Sequence, residues 1–251
     1  MTSVLIEARG LVLRYATGRV ALEGVSFSAS PGELVVILGA NGSGKSTILR
    51  CIAGILNPTE GCVSVDSREI SRLSGRPLRE ARMAVGMIFQ HANLVRRRSV
   101  LANVMTGTLG QHRTLATALG RLPRTEMPFA LACLDEVGLR ELAHQRAGTL
   151  SGGQAQRVSV ARALAQRPRA LLADEPVASL DPEAAEDLMR LLRRLSRDDR
   201  IAVLCVLHQP ELARRYADRI IGLRCGRIVF DERPSKVRDH DVGALYENLA
   251  A

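Results

Sequence analysis

Apolar positions fall into short blocks of two different periods. Val4 to Tyr15, broken at Gly10, and Val20 to Ser28 read as β segments, closed by Pro31-Gly32. Leu34 to Leu38 is a continuous apolar run, the pattern of a strand covered on both faces. A Gly-rich loop follows, and Ile48, Leu49, Ile52 and Ala53 then stand at helical spacing within Thr47 to Ala53. Asn93 to Gly148 is more irregular and mostly helical, with loop signals at Gly107, Gly110, Gly120 and Pro123, and reads as a helical insertion. Strand-like runs return at Ala170 to Ala173 and Ile201 to Leu207. Between them Leu188, Leu191, Leu192 and Leu195 form a helical stripe, with Arg190, Arg193, Arg194 and Arg197 on a solvated opposite face. Strands alternating with helices predict an α/β fold on a mostly parallel sheet with crossover helices. The residues after Phe230 are polar and read as a peripheral tail.

The 251 residues suffice for one large α/β domain, or a core domain with a smaller appendage, and 46% apolar content argues against disorder along most of the chain. No apolar run approaches the roughly 20 residues of a membrane-spanning helix. The first residues, Met1-Thr2-Ser3 with Glu7 and Arg9 close behind, have neither a basic n-region nor a long apolar h-region, which predicts a chain that is not exported. Cys51, Cys62, Cys133, Cys205 and Cys225 show no CxxC spacing and read as reduced core thiols rather than a disulfide framework or zinc site. A formal charge of +9 invites a nucleic-acid reading, yet only two of the 35 basic residues are lysines, Lys45 and Lys236. Such an Arg bias reflects genomic base composition as readily as surface function, so the charge decides little.

Three segments carry chemistry. Gly39-Ala40-Asn41-Gly42-Ser43-Gly44-Lys45-Ser46 matches G-x-x-x-x-G-K-[ST], and Thr47 follows it. Glycines there let consecutive backbone N–H groups point at phosphate oxygens at a helix N-terminus, with Lys45 reaching the β and γ phosphates and Ser46 a Mg²⁺ ion. The run Ala170 to Ala173 ends in Asp174-Glu175-Pro176. Acids at a strand end beside such a loop suit Mg²⁺ ligation by Asp174 and activation of a water by Glu175. Leu150-Ser151-Gly152-Gly153-Gln154 offers an S-x-x-Q capping box, and a helix start with two glycines is also an anion site.

In this order and spacing the three segments resemble the ATP-binding cassette (ABC) ATPases over nearly the whole chain. The resemblance implies a RecA-like, mostly parallel sheet with an N-terminal antiparallel β subdomain and a helical signature subdomain. It divides residues 1–251 into an ATP-binding core (1–90 and 155–230), a helical subdomain ending in the signature motif (91–154) and a C-terminal tail (231–251). It implies that Tyr15 stacks on adenine, that Gln90 touches Mg²⁺ and the attacking water, that His208 contacts the γ-phosphate, and that Asp181 belongs to a loop crossing to a second subunit. ATP and Mg²⁺ are the implied ligands. A head-to-tail homodimer is implied, with Ser151, Gly152, Gly153 and Gln154 of one subunit facing Gly39 to Thr47 of the other.

Two classes of such proteins differ in partners. A DNA-repair or translation ATPase would suit the positive charge, but the 60 positions from Gln90 to Leu150 leave no room for a long coiled coil, and one cassette is present. The transporter class implies membrane permease subunits, an indirect periplasmic solute-binding protein, no nucleic acid, and a peripheral position on the cytoplasmic face of the inner membrane. Phe89 to Val95, Ser99 to Val104, Ala143-His144-Gln145-Arg146-Ala147, Ala178 to Pro182 and Leu207-His208-Gln209 are similar to the bacterial phosphonate-import ATPases. Ala155 and His91-Ala92 depart from the commoner family residues, and an importer of another small solute stays open as the alternative.

Overall fold

The computed structural model describes residues 4–112, 117 and 121–247. Strand β1 (Ile6–Arg14) pairs antiparallel with β2 (Val20–Ala29). Gly10 does not break β1, as its position suggests; the ladder shifts register between Ala8 and Leu11 and the strand continues through a bulge. Strand β3 (Leu34–Leu38) is buried throughout, as a run of Leu, Val and Ile requires. The first sheet is completed by β4 (Glu60–Val65) and β5 (Arg68–Glu69), in the order β2-β1-β4-β5.

The second sheet adds β6 (Val85–Ile88), β7 (Ala170–Asp174), β8 (Ala202–Val206), β9 (Arg219–Arg224) and β10 (Arg227–Glu232) to β3. Its order is β10-β9-β3-β8-β7-β6, and every pairing except β10 with β9 is parallel. Alternation along β3 sorts two cores. Leu34, Val36 and Leu38 face a helical layer, whereas Val35 and Ile37 face the first sheet and α1 (Lys45–Ile52). Helix α2 (Gly75–Arg82) leads into β6.

Between β6 and β7 the insertion is partly 3₁₀: α3 (Val100–Met105), a 3₁₀ stretch at Thr106–Gln111 that absorbs the loop signals at Gly107 and Gly110, and α4 (Met127–Glu136). Gly120 lies outside the described residues. Helix α5 (Gly152–Leu164) opens on the capping box: Gln154 N–H donates to Ser151 Oγ at 3.3 Å, and Ser151 N–H to Gln154 Oε1 at 3.0 Å.

Helix α6 (Pro182–Arg197) buries Leu188, Leu192 and Leu195 against the second sheet. Three of its four arginines are engaged in pairs, Arg190 with Asp187 at 2.8 Å, Arg194 with Glu136 at 2.7 Å, and Arg193 with Asp218, while Arg197 is exposed. Helix α7 (Pro210–Tyr216) follows β8.

The segment after Phe230 is not a detached polar tail. β10 runs to Glu232, and α8 (Asp239–Tyr246) packs back on the second sheet, burying Val237 and Leu245. Val237, Val242 and Leu245 are too few in a polar segment to fix a period, so their burial is decided by the surface that the second sheet presents. Among the described residues, no helix is long and apolar enough to cross a membrane.

Candidate functional site

The carboxyl ends of β3, β8, β7 and β6 lie side by side in that order. Parallel pairing puts the loop after β3, His208 after β8, Asp174-Glu175 at the end of β7 and Gln90 beyond β6 along one edge, where open α/β sheets hold ligands. Helix α1 begins at Lys45, two residues before the apolar spacing suggests, so the last loop residues are its first turn. Gly44 precedes it at φ 109 with no side-chain cap, leaving the first-turn N–H groups for another acceptor. A Cβ at Gly44 would sit 2.6 Å from the Ala21 carbonyl oxygen, and one at Gly39 2.2 Å from that of Leu223, so the loop is pressed against its supports.

Lys45 is buried, and its Nζ donates to the carbonyl oxygens of Gly39 at 2.8 Å and Ala40 at 2.9 Å. Burial pulls its pKa below the ordinary lysine value, opposed by the charges of Glu175 and Asp174. Ser46 Oγ donates to Asp174 Oδ1 at 2.8 Å. Burial holds the Asp174 carboxyl above the ordinary carboxylate range, and the Ser46 bond works against it. Ser43 Oγ is buried without a hydrogen-bond partner. This loop therefore holds an unanswered hydroxyl, unanswered helix N–H groups and a desolvated ammonium, which a phosphate chain would satisfy together.

Among the described residues, no group of three His, Cys, Asp or Glu side chains is arranged to hold a metal ion unaided. The Ser46 hydroxyl and the Asp174 carboxylate fit Mg²⁺ instead, a hard cation that takes few protein oxygens and completes its shell with phosphate and water.

Glu175 adopts φ 51, uncommon for a non-glycine residue and costing about 1–3 kcal/mol, which the surrounding strands sustain. His208 Nε2 lies 2.6 Å from Glu175 Oε1. The Tyr15 hydroxyl, at the end of β1, lies 3.4 Å from Thr47 Oγ1. Tyr15, Arg19, Gly42, Lys45, Ser46 and Glu175 line one cleft of about 180 Å³, with Asn41 and Thr47 also on its wall. Complete small-molecule sites are roughly 300–1,000 Å³. The cleft is smaller than such a site and opens to solvent.

The other sequence-derived residues lie apart from this cleft. Gln90 is exposed just past β6. Ser151, Gly152, Gly153 and Gln154 form the start of α5, and Asp181 caps α6 by accepting from Ala184 N–H at 2.9 Å. The two helix starts are neighbours: a Cβ at Gly153 would lie 3.0 Å from that of Ala184.

Three residues outside the motifs bear on the same edge. Gln156, buried on α5, donates to the Phe89 carbonyl at 2.8 Å, and Arg162 donates to those of Ala92 at 2.7 Å and Asn93 at 2.9 Å. The segment around Gln90 is thereby tied to the helix that Ser151 caps. Tyr246, on α8, reaches the His208 carbonyl with its hydroxyl at 3.5 Å. Burial raises its phenol pKa, with the Gly39 backbone lowering it, so the C-terminal helix abuts both the loop and the histidine. A polar residue in the buried helical phase of Val160 and Ala163 is the signal that marks Gln156; Tyr246 carries no such mark.

A phosphate-type loop, a strand-end carboxylate pair and a glycine-flanked helix cap on this sheet order define an ATP-binding-cassette protein. The ABC transporter family profile matches residues 22–178, and the chain belongs to that family. Among its relatives, the phosphonates import ATP-binding protein PhnC of Frankia casuarinae is 51% identical over 92% of this chain and 90% of its own length. Phosphonates import ATP-binding protein PhnC 2 of Halalkalibacterium halodurans is 43% identical, covering 97% of this chain and all of its own length. The fold matches the dimeric, post-hydrolysis structure of the ATP-binding cassette MJ0796 bound to ADP and Pi, with a TM-score of 0.80 and 33% identity over 92% of this chain and 99% of that one.

Proposed function

We propose that the chain is the ATP-hydrolysing, energy-coupling subunit of a bacterial ABC importer for phosphonate or a related phosphorus oxyanion. The observation that carries the substrate is identity of 40–51% to eight phosphonates import ATP-binding proteins, each covering at least 92% of this chain. ATP binds with adenine on Tyr15 and its phosphates over the backbone of Gly39 to Thr47, the β and γ phosphates against Lys45. Ser46, Asp174 and Gln90 are the residues that would hold Mg²⁺, which would supply neutralisation of the phosphate charge. Glu175 takes a proton from the attacking water, and His208 orients Glu175 and contacts the γ-phosphate.

The cleft's opening to solvent calls for a second surface. Ser151 to Gln154 of a second copy supply it in a head-to-tail dimer, with Asp181 at the same contact. Closure then depends on the γ-phosphate and is released by hydrolysis. The pair works through separate membrane permease subunits, fed by a periplasmic solute-binding protein, from the cytoplasmic face of the inner membrane. Residues 91–154 form the part that moves with the permease, and Gln156 and Arg162 carry that motion to the signature helix.

Deleting the gene tests this reading. Growth on a phosphonate as sole phosphorus source should fail while growth on phosphate continues, with rescue by the wild type and not by Glu175→Gln. Undiminished growth on the phosphonate would remove the substrate assignment.

A further inference from the structure

The cleft contains a second cation that none of the motifs includes. Tyr15 and Arg19 face each other across the tip of the β1–β2 hairpin: Tyr15 N–H donates to the Arg19 carbonyl at 2.9 Å, and Gly18 N–H to the Tyr15 carbonyl at 2.9 Å. This tight closure aims both side chains at the loop after β3. Tyr15 meets Thr47 at one end of it, and an Arg19 guanidinium nitrogen meets the Gly42 carbonyl oxygen at 3.4 Å. The guanidinium lies directly over Gly42, where φ is 78 and a Cβ would be 3.2 Å from the Arg19 nitrogen.

That contact is longer than the usual 2.7–3.2 Å of an N–H···O bond, and it goes to an uncharged acceptor. Among the described residues, no carboxylate forms an ion pair with Arg19. Lys45, by contrast, is folded down onto Gly39 and Ala40 at the buried base of the loop. Arg19 and Lys45 are the basic residues lining the cleft, and Glu175 is the acidic one. A planar fork of N–H donors with no anionic partner, held at the rim of a phosphate cradle, matches the geometry of non-bridging phosphate oxygens.

We propose that Arg19 is a phosphate-binding residue of the nucleotide site. On binding, its guanidinium exchanges the Gly42 carbonyl for polyphosphate oxygens at the solvent rim of the loop, while Lys45 serves the buried end. The inference rests on the ATP reading above.

Equilibrium binding of ATP, ADP and adenosine to the full chain tests it, using the wild type, Arg19→Ala and Arg19→Lys. Arg19 is exposed at a hairpin tip, so both variants should fold. Arg19→Ala should weaken ATP and ADP about 5- to 20-fold and adenosine less than twofold, and Arg19→Lys should recover only part of the loss, since it restores the charge but not the planar fork of donors. Unchanged ATP affinity in Arg19→Ala overturns the proposal. So does an equal loss for adenosine and ATP, which would assign Arg19 to shaping the hairpin under Tyr15. A wild type that binds none of the three would instead defeat the ATP reading itself, so the two failures are distinguishable.

Discussion

His208 Nε2 and Glu175 Oε1 stand 2.6 Å apart, joining the ends of the neighbouring strands β8 and β7. The contact aims a carboxylate whose backbone is already confined at φ 51, so side chain and main chain are both set before any ligand arrives. Such preorganisation suits a base that must meet one water in line with a phosphate.

Glu175→Gln should therefore keep ATP affinity within about twofold while turnover falls by about 10²- to 10⁴-fold, the usual worth of a positioned base. Phosphate release and nucleotide binding measured on the same preparation check it. Brisk hydrolysis by this variant would contradict the assigned base.

Lys45→Met should lower ATP affinity at least about tenfold, since the loop loses its buried cation. It should also change the pH dependence of stability. Burial lowers the Lys45 pKa, so above that pKa the folded chain has released a proton that the unfolded chain keeps until about 10.5. Stability from this group accordingly rises with pH across that interval, because the unfolded state binds more protons there. Thermal unfolding followed as pH rises toward 10.5 without nucleotide should show a flatter dependence in Lys45→Met than in the wild type.

Asp174→Asn should separate metal from nucleotide. The variant retains the Ser46 hydroxyl but loses the anionic oxygen now 2.8 Å from it, so Mg²⁺ should cease to stimulate hydrolysis. Nucleotide binding in EDTA should match the wild type within about threefold; a larger loss there would make Asp174 a support of the loop rather than a metal ligand.

Ser151→Ala should cost about 1 kcal/mol through the lost cap of α5, with ATP binding to the isolated subunit unchanged. If Ser151 also faces the second subunit's nucleotide, turnover should fall far more than stability explains. Pairing this subunit with a Lys45→Met subunit tests the arrangement: a head-to-tail dimer brings both lesions to one site and leaves the other site intact. Loss of both sites in the mixed dimer would argue against that geometry.

The thiols should differ in reactivity. Cys225 is exposed beside Ala40 to Ser43, whereas burial pushes Cys51 and Cys133 up to about 11 and Cys205 further still. Iodoacetamide at pH 8 should alkylate Cys225 first, Cys62 more slowly and the other three only after unfolding, as mass spectrometry would resolve. Rapid native labelling of Cys205 would contradict the packing of β8.

Each feature is legible in the sequence to the extent that it is decided over a short stretch of chain. The strand Leu34–Leu38, the loop Gly39–Ser46 and the capping box Ser151–Gln154 are set by neighbours within a few residues, through apolar runs, glycine spacing and a side chain reaching its own helix start. Sequence by itself determines these, along with the carboxylates that close β7. Tertiary structure decided the rest. Ser46 meets Asp174 across 128 residues because the strand order sets β7 within reach of α1. Arg19 lies over Gly42, Gln156 reaches Phe89, and Tyr246 touches His208 only because separate elements pack in one arrangement. Hydrophobic period specifies which face of an element is buried but not which element covers it, and these contacts belong to the second choice.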